Sequence, residues 1–187
     1  FYIRLKKNIP SGAGLGGGSS DAAAVLRGCN KLWNLNLTAK DLEKIGAELG
    51  SDIPFLICGG KVRATGRGEI LSPLPDSEHF VVLAKPQNIE VSTKWAYQEF
   101  DNLPQDKLLN APRNVLELAV FPYYPVLQNM KDAAENAGAE FAMMSGSGPT
   151  IFALCKNYAD GEKIANVLKK FNVDVVLAKF TKRRCDV

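Results

Sequence analysis

The residues with the most chemical promise lie in one stretch, Ile9-Pro10-Ser11-Gly12-Ala13-Gly14-Leu15-Gly16-Gly17-Gly18-Ser19-Ser20-Asp21-Ala22-Ala23. Glycines at 12, 14, 16, 17 and 18 let the backbone approach a ligand closely and turn successive N–H groups inward, a nest for an anion. A helix is predicted to begin near Ser20 or Asp21, and its first turn adds unpaired N–H groups and the positive end of the macrodipole. Phosphate can be held there without a lysine, with the hydroxyls of Ser19 and Ser20 available to phosphate oxygen or to a nucleotide's magnesium ion. The competing reading is a flexible Gly/Ser linker. An alternating segment, Phe1–Lys6, before the glycines and an alanine-rich helix after them favour phosphate. A Walker loop would need Gly-Lys-Ser/Thr where this chain has Gly-Ser-Ser-Asp. A dinucleotide fold would want an acid about twenty residues on, and 31–36 holds none.

A second small-residue loop, Ser145-Gly146-Ser147-Gly148-Pro149, reads either as a simple turn between a helix and a strand or as part of a binding site. Thr93 and Tyr97 are one helical turn apart, so both can face one cleft, although an aromatic at that offset from a cap is commonly core, as Trp95 and Phe100 would be. Asp52 stands before Ile53-Pro54, where Ser51 or Asp52 makes a good helix cap. His79, beside Glu78 in an expected turn, is the single histidine, which disfavours Ser-His-Asp, Cys-His and histidine–metal chemistry. Cys29, Cys58, Cys155 and Cys185 form no C-x-x-C pair, so reduced thiols are expected and no zinc site is indicated.

The elements that must position these groups follow from periodicity. Phe1–Lys6 reads as a strand; the helix after the glycines carries Leu26, Cys29, Leu32 and Trp33. A second helix has Thr38 as N-cap with Asp41 as its capping-box partner, Leu42, Ile45 and Leu49 as its buried stripe, and Gly50 as its stop. A short apolar element from Ser51 ends at Gly59-Gly60, and Lys61–Ala64 with Glu69–Leu71 flank Gly66-Arg67-Gly68 as a hairpin. The proline-rich polar stretch Ser72–Glu78 marks a boundary. Beyond it come a strand at Phe80–Ala84, a helix from Ser92 or Thr93 to Phe100, an Asn/Pro-rich loop and a helix from Val126 to Ala137 stopped by Gly138. Strand Thr150–Cys155, helix Gly161–Phe171 and strand Val173–Phe180 complete an α+β order with a helix-covered antiparallel or mixed sheet.

The whole chain of 187 residues is 46% hydrophobic and 23% charged, the usage of a globular protein with a core rather than of a disordered or fibrous chain. No window offers eighteen uncharged apolar residues, so no membrane partner is expected and a cytoplasmic setting is. The net charge of +3 is too small to suggest nucleic acid, and the basic run of Lys179, Lys182, Arg183 and Arg184 reads as a solvated tail.

At the glycine stretch the chain resembles the ATP-binding loop of the GHMP kinases, the superfamily of galactokinase, homoserine kinase and mevalonate kinase. The triple glycine followed by Ser-Ser-Asp-Ala-Ala is similar to the branch that phosphorylates 4-diphosphocytidyl-2-C-methyl-D-erythritol in non-mevalonate isoprenoid synthesis. Further likeness follows in order at Leu49–Phe55, Gly66–Glu69, Lys85-Pro86, Val91–Thr93, Asn114–Glu117 and Met144–Thr150. The resemblance implies a two-domain architecture, a partial N-terminal α/β domain over 1–75 and a ferredoxin-like C-terminal domain over 76–187, with ATP and acceptor in the cleft between them. It implies a phosphotransferase acting on the tertiary 2-hydroxyl of that substrate, with ATP as donor and Mg2+ arriving on the nucleotide. Pro10, Ser11, Gly12, Ala13, Gly14, Leu15, Gly16, Gly17, Gly18, Ser19 and Ser20 would bind ATP, and Asp52 would be the catalytic carboxylate, orienting the hydroxyl and receiving its proton. Thr93 would meet the acceptor end, Tyr97 would stack on its cytosine, and Ser145, Gly146, Ser147 and Gly148 would support the phosphate loop.

Residue 1 is Phe rather than Met, and residues upstream are expected. The family opens with a lysine and an aromatic–histidine pair that nothing in 1–9 replaces, so the chain resembles roughly the last two thirds of such a kinase and is expected not to turn over alone. Two alternatives stay open: another GHMP kinase acting on mevalonate, homoserine or a sugar, and a nucleotide-binding module without catalysis.

Overall fold

The computed structural model describes residues 2–109 and 111–181. Phe1, Lys182, Arg183, Arg184 and Cys185 therefore lie outside the described residues. The chain divides into two compact units, one built on Gly16–Glu78 and the other on the residues up to Leu15 together with His79–Phe180.

The Gly16–Glu78 unit is three helices and a hairpin: α1 (Gly17–Leu32), α2 (Ala39–Leu49), α3 (Ile53–Cys58), β1 (Val62–Thr65) and β2 (Ile70–Pro73). Thr38 caps α2 with both halves of a capping box: its hydroxyl accepts from the Asp41 N–H at 3.2 Å, and the Asp41 carboxylate accepts from the Thr38 N–H at 3.0 Å. That carboxylate is held below its ordinary range by the Thr38 hydroxyl and N–H. The unit's core is Ala23 of α1, Leu42 of α2 and Ile53 and Ile57 of α3. The expected stripe on α2 is corrected here: Leu42 is buried, but Ile45 and Leu49 are exposed, because α3 packs on the α2 face that carries Leu42 and Gly46. Likewise Leu32 and Trp33 are exposed, and Ala23 is the buried residue of α1. The hairpin forms as expected, antiparallel with Thr65 opposite Ile70.

In the other unit, four antiparallel strands run in the spatial order β4-β5-β3-β6, with β3 at Phe80–Pro86, β4 at Phe141–Met144, β5 at Ile151–Cys155 and β6 at Val173–Lys179. With α4 (Thr93–Asp101), α5 (Glu117–Val120), α6 (Pro125–Asn136) and α7 (Tyr158–Leu168), the strand and helix order is that of a ferredoxin-like split βαβ. Alternation on β5 puts Ile151, Ala153 and Cys155 inward, where they meet Leu127 and Met130 of α6 and Ile164 and Leu168 of α7. Each large aliphatic buried there contributes about 1.5–3 kcal/mol. Trp95 packs edge-on against Tyr123 and Tyr124, and with Phe100 supplies the packing face of α4.

Two expectations fail in this unit. Residues 2–8 form no strand, and Tyr2, Ile3 and Leu5 are exposed. A strand needs a neighbour for its backbone groups, and both sheets of the described residues are made without this segment. The loop at 145–149 joins two strands rather than a helix and a strand, because β4, four residues rich in Ala and Met, carries no β-branched signal.

Candidate nucleotide and acceptor site

Chain geometry at the glycine stretch follows from alternate left-handed glycines: φ is +63° at Gly12, +71° at Gly14 and +65° at Gly16. Such alternation curls the backbone so that its N–H groups converge. Gly16 is the N-cap of α1, which begins at Gly17, three residues earlier than the weak helix propensity of Gly-Gly-Ser indicates. No side chain caps this end and its first turn holds no acid; the Ser20 N–H already returns to the Gly16 carbonyl at 2.9 Å. The N–H groups of Gly17, Gly18 and Ser19 thus stand at a dipole terminus with no intrahelical carbonyl to bond. Pro10, Ser11, Gly12 and Gly18 are exposed, Leu15, Gly16, Gly17, Ser19 and Ser20 are half-buried, and Ala13 is buried as the anchor of the stretch.

Asp52 lies in the same unit as the helix start. It occupies the N-cap position of α3, with Pro54 in the first turn, yet its side chain makes no capping bond and is exposed. The local role that Asp52 could have played is therefore not the one it plays. α3 packs on α1, where Arg27 Nη1 donates to the Leu56 carbonyl at 2.9 Å. A Cβ at Gly16 would sit 3.7 Å from Leu56 Cδ1, so the nest's last glycine borders the helix that Asp52 opens. Gly68 of the hairpin turn, with φ +118°, approaches Ser51 so closely that a Cβ would come to 2.9 Å from its carbonyl oxygen. The turn is tightened by the Glu69 carboxylate, which accepts from the Arg67 N–H at 2.7 Å; its own backbone N–H first, and then the Arg67 N–H, hold Glu69 below the ordinary carboxylate range. The Gly66–Glu69 turn thus seats the backbone just before Asp52.

In the other unit the loop between β4 and β5 meets the first half of the glycine stretch. Ser145 Oγ donates to the Gly14 carbonyl at 2.8 Å. A Cβ on Gly14 would clash with the Ser145 carbonyl oxygen, so the two backbones touch only because residue 14 is glycine. Ser147, nearly buried, shares a 2.8 Å hydrogen bond with Thr93 Oγ1. Ser145, Gly146 and Ser147 are thereby joined to both Gly14 and the start of α4. Tyr97, one turn along α4 and half exposed, lines a cavity of about 360 Å³ with Phe100, Arg113, Asn114, Ser145 and Gly146. The aromatic ring of Tyr97 therefore faces an open groove rather than the core.

Sequence reasoning gave Asn114 and Glu117 no task, yet they hold this loop. Asn114 Nδ2 donates to the carbonyls of Met144 at 2.8 Å and Gly146 at 2.7 Å. Glu117 Oε1 accepts from the Met144 N–H at 2.7 Å, and its Oε2 meets Lys131 Nζ at 2.6 Å. An acid on the buried side of a one-turn helix was the available signal. No group of three His, Cys, Asp or Glu among the described residues could hold a metal ion. No helix among them is long and apolar enough to cross a membrane.

Comparison with known proteins finds relatives over most of the chain. A family model described as the GHMP kinases N terminal domain matches residues 1–60, and one described as GHMP kinases C terminal matches 98–174. A 4-diphosphocytidyl-2-C-methyl-D-erythritol kinase of Synechocystis sp. is 44% identical over 90% of this chain and 64% of its own length. The protein of that name from Nostoc sp. is 41% identical over 97% of this chain and 68% of its own. Among solved structures, a 4-(cytidine 5'-diphospho)-2C-methyl-D-erythritol kinase superposes with a TM-score of 0.74 at 31% identity, covering 92% of this chain and 69% of that one. A homoserine kinase from Cytophaga hutchinsonii, at 24% identity and a TM-score of 0.71, shares the fold. The chain thus spans a little under two thirds of the length of the Synechocystis relative.

Proposed function

The chain belongs to the GHMP kinase family, and from that premise we propose that it transfers the γ-phosphoryl group of ATP to the 2-hydroxyl of 4-diphosphocytidyl-2-C-methyl-D-erythritol. Support for the acceptor comes from relatives at 41% and 44% identity that carry that activity in their names. The observation that carries the catalytic assignment is the Asp52 carboxylate, exposed at a helix start that it does not cap, on the helix that borders Gly16.

In this reading the nucleotide phosphates lie on the N–H groups of Gly17, Gly18 and Ser19 and in the curl of Gly12 to Gly16. Asp52 accepts a hydrogen bond from the acceptor hydroxyl, aims its oxygen at the γ-phosphorus and takes the proton as the O–P bond forms and the bond to ADP breaks. Most of the acceleration in phosphoryl transfer comes from such placement and from charge stabilisation, so one carboxylate suffices. A tertiary hydroxyl is a hindered nucleophile, which raises the value of orientation. Magnesium would arrive as the nucleotide's counterion, where the Ser19 and Ser20 hydroxyls could help hold it, and would neutralise phosphate charge. Thr93 and Tyr97 belong to the acceptor side, with the Tyr97 ring offered to the cytosine. The reaction is taken to be cytoplasmic, where ATP is supplied.

The test is ADP release by the intact natural polypeptide that carries this chain, with 4-diphosphocytidyl-2-C-methyl-D-erythritol, homoserine, mevalonate and a sugar as acceptors. Turnover with the first alone supports the proposal. Preference for another acceptor moves the chain to a different branch, and nucleotide binding without turnover on any makes it a binding module.

A further inference from the structure

The buried acid of α5 has a task that the reaction scheme leaves open. Glu117 is 3% exposed, and both of its carboxylate oxygens are engaged, one by the Met144 N–H and the other by Lys131 Nζ. A carboxylate at that depth is tolerated when it is paired and hydrogen-bonded, and its geometry is then tightly fixed. Fixing Glu117 fixes Met144, the residue at which β4 ends and the loop begins. Asn114, three residues earlier, takes the carbonyls of Met144 and Gly146, so N–H and C=O of the same residue are held from one short segment. Asn114 Oδ1 meanwhile accepts from the Leu116 N–H at 3.1 Å, which sets its own amide. The next link is Ser145, whose hydroxyl donates to Gly14 and whose carbonyl lies against the Gly14 Cα.

We propose that Asn114 and the Lys131–Glu117 pair are positioning residues for the nucleotide: they brace 144–146, and through Ser145 they fix the left-handed turn at Gly14. The route is continuous, from α6 through Lys131 to Glu117, to the Met144 N–H, to Ser145 and to the Gly14 carbonyl. All of these bonds join groups of the chain itself, and a loop ordered in this way before phosphate docks loses less entropy on binding. The inference rests on the kinase reading for its effect on ATP, but the ordering itself can be measured without turnover.

The experiment compares Glu117→Ala, Glu117→Gln and Asn114→Ala with the unvaried intact protein, with Lys163→Ala on the exposed face of α7 as a control. Hydrogen–deuterium exchange of the peptide spanning 144–148 is expected to rise about tenfold in Glu117→Ala, the scale of one hydrogen bond to a charged group. Glu117→Gln, which keeps an oxygen for the Met144 N–H, should restore most of that protection. In turnover, KM for ATP is expected to rise by about tenfold in Glu117→Ala, more than KM for the acceptor, whose groove Ser145 and Gly146 also line, whereas a merely structural role would lower the active fraction and leave both KM values alone. If Glu117→Ala does not fold, Asn114→Ala carries the exchange and KM-for-ATP readouts; Asn114 also borders the Tyr97 groove, so KM for the acceptor is read only in the Glu117 variants. Unchanged exchange at 144–148 in a folded variant overturns the brace, as does a rise in exchange that leaves KM for ATP as it was. An unvaried protein that shows protected 144–148 amides but no ATP turnover sinks the kinase reading, and the exchange data then still decide the brace.

Discussion

The two glycine- and serine-rich loops look alike in sequence and differ in how their polar groups are used. In the segment at 145–148 the serine hydroxyls are engaged, Ser145 with Gly14 and Ser147 with Thr93, and Asn114 holds the backbone carbonyl of Gly146. At the start of α1 the reverse holds: Gly16 caps with backbone alone, and the first turn has neither a capping side chain nor an acid. A loop that satisfies its own polar groups is suited to support, and one with backbone donors left over is suited to receive an anion; under the proposed function the first is the support and the second the receptor. Under the proposed function Asp52 belongs with the receptor, and it holds a cap position without a side-chain capping bond.

If the division is right, changes on the receptor side should cost activity and spare stability. Asp52→Asn is expected to lower kcat by about 10²–10⁴-fold, the range for a positioned general base, with an unchanged thermal midpoint. Equal loss of stability would show that Asp52 is a structural cap after all. Changes in the support should do the opposite. Lys131→Met leaves Glu117 buried without its cation and should cost about 3–5 kcal/mol in denaturant unfolding. Lys163→Met, which removes an exposed pair with Asp160, should cost under about 1 kcal/mol. A Lys131→Met protein as stable as Lys163→Met would mean that Glu117 needs no partner. Where the loops meet, Gly14→Ala must place a Cβ on the Ser145 carbonyl at φ +71°, for about 1–3 kcal/mol of strain and weaker ATP binding. Gly28→Ala, inside α1 with open space around it, should instead stabilise by about 0.5–1 kcal/mol. The smallest effect lies outside both loops. Asp41 is depressed by Thr38, so the capping box contributes stability that is fully present above the ordinary value of 3.8 and is lost as pH falls through the lower folded value. Thr38→Ala should flatten that acid limb of an unfolding-versus-pH curve, and an unaltered limb would remove Asp41 from it.

Much of the secondary structure was legible because its signals are local. Thr38 and Asp41 form their box, Gly50 and Gly59 follow the helices they were expected to stop, and Ser92 caps α4. What was missed depended on neighbours. Ile45 and Leu49 fit the period of a buried stripe, but burial is decided by where α3 packs. Residues 2–8 alternate like a strand and have no strand beside them. β4 is too short and too rich in Ala and Met to announce itself, and the start of α1 runs through residues with poor helix propensity. At the site, the glycine stretch and Asp52 could be named from the chain, whereas Asn114 and Glu117 could not be given a task, since their partners are thirty and twenty-seven positions away.

By itself, then, the sequence determined the chemistry on offer: a glycine nest running into a helix with no lysine, a carboxylate before Ile-Pro, and a second loop of small residues. It did so because turn, cap and nest propensities act over a few residues. Only the tertiary structure decided which polar groups are consumed and which are left over. Asp52 is released from capping, Ser145 is committed to Gly14, and Glu117 is buried between a loop amide and Lys131. Hydrogen bonds and burial are settled by what lies opposite in space, and no local pattern records that.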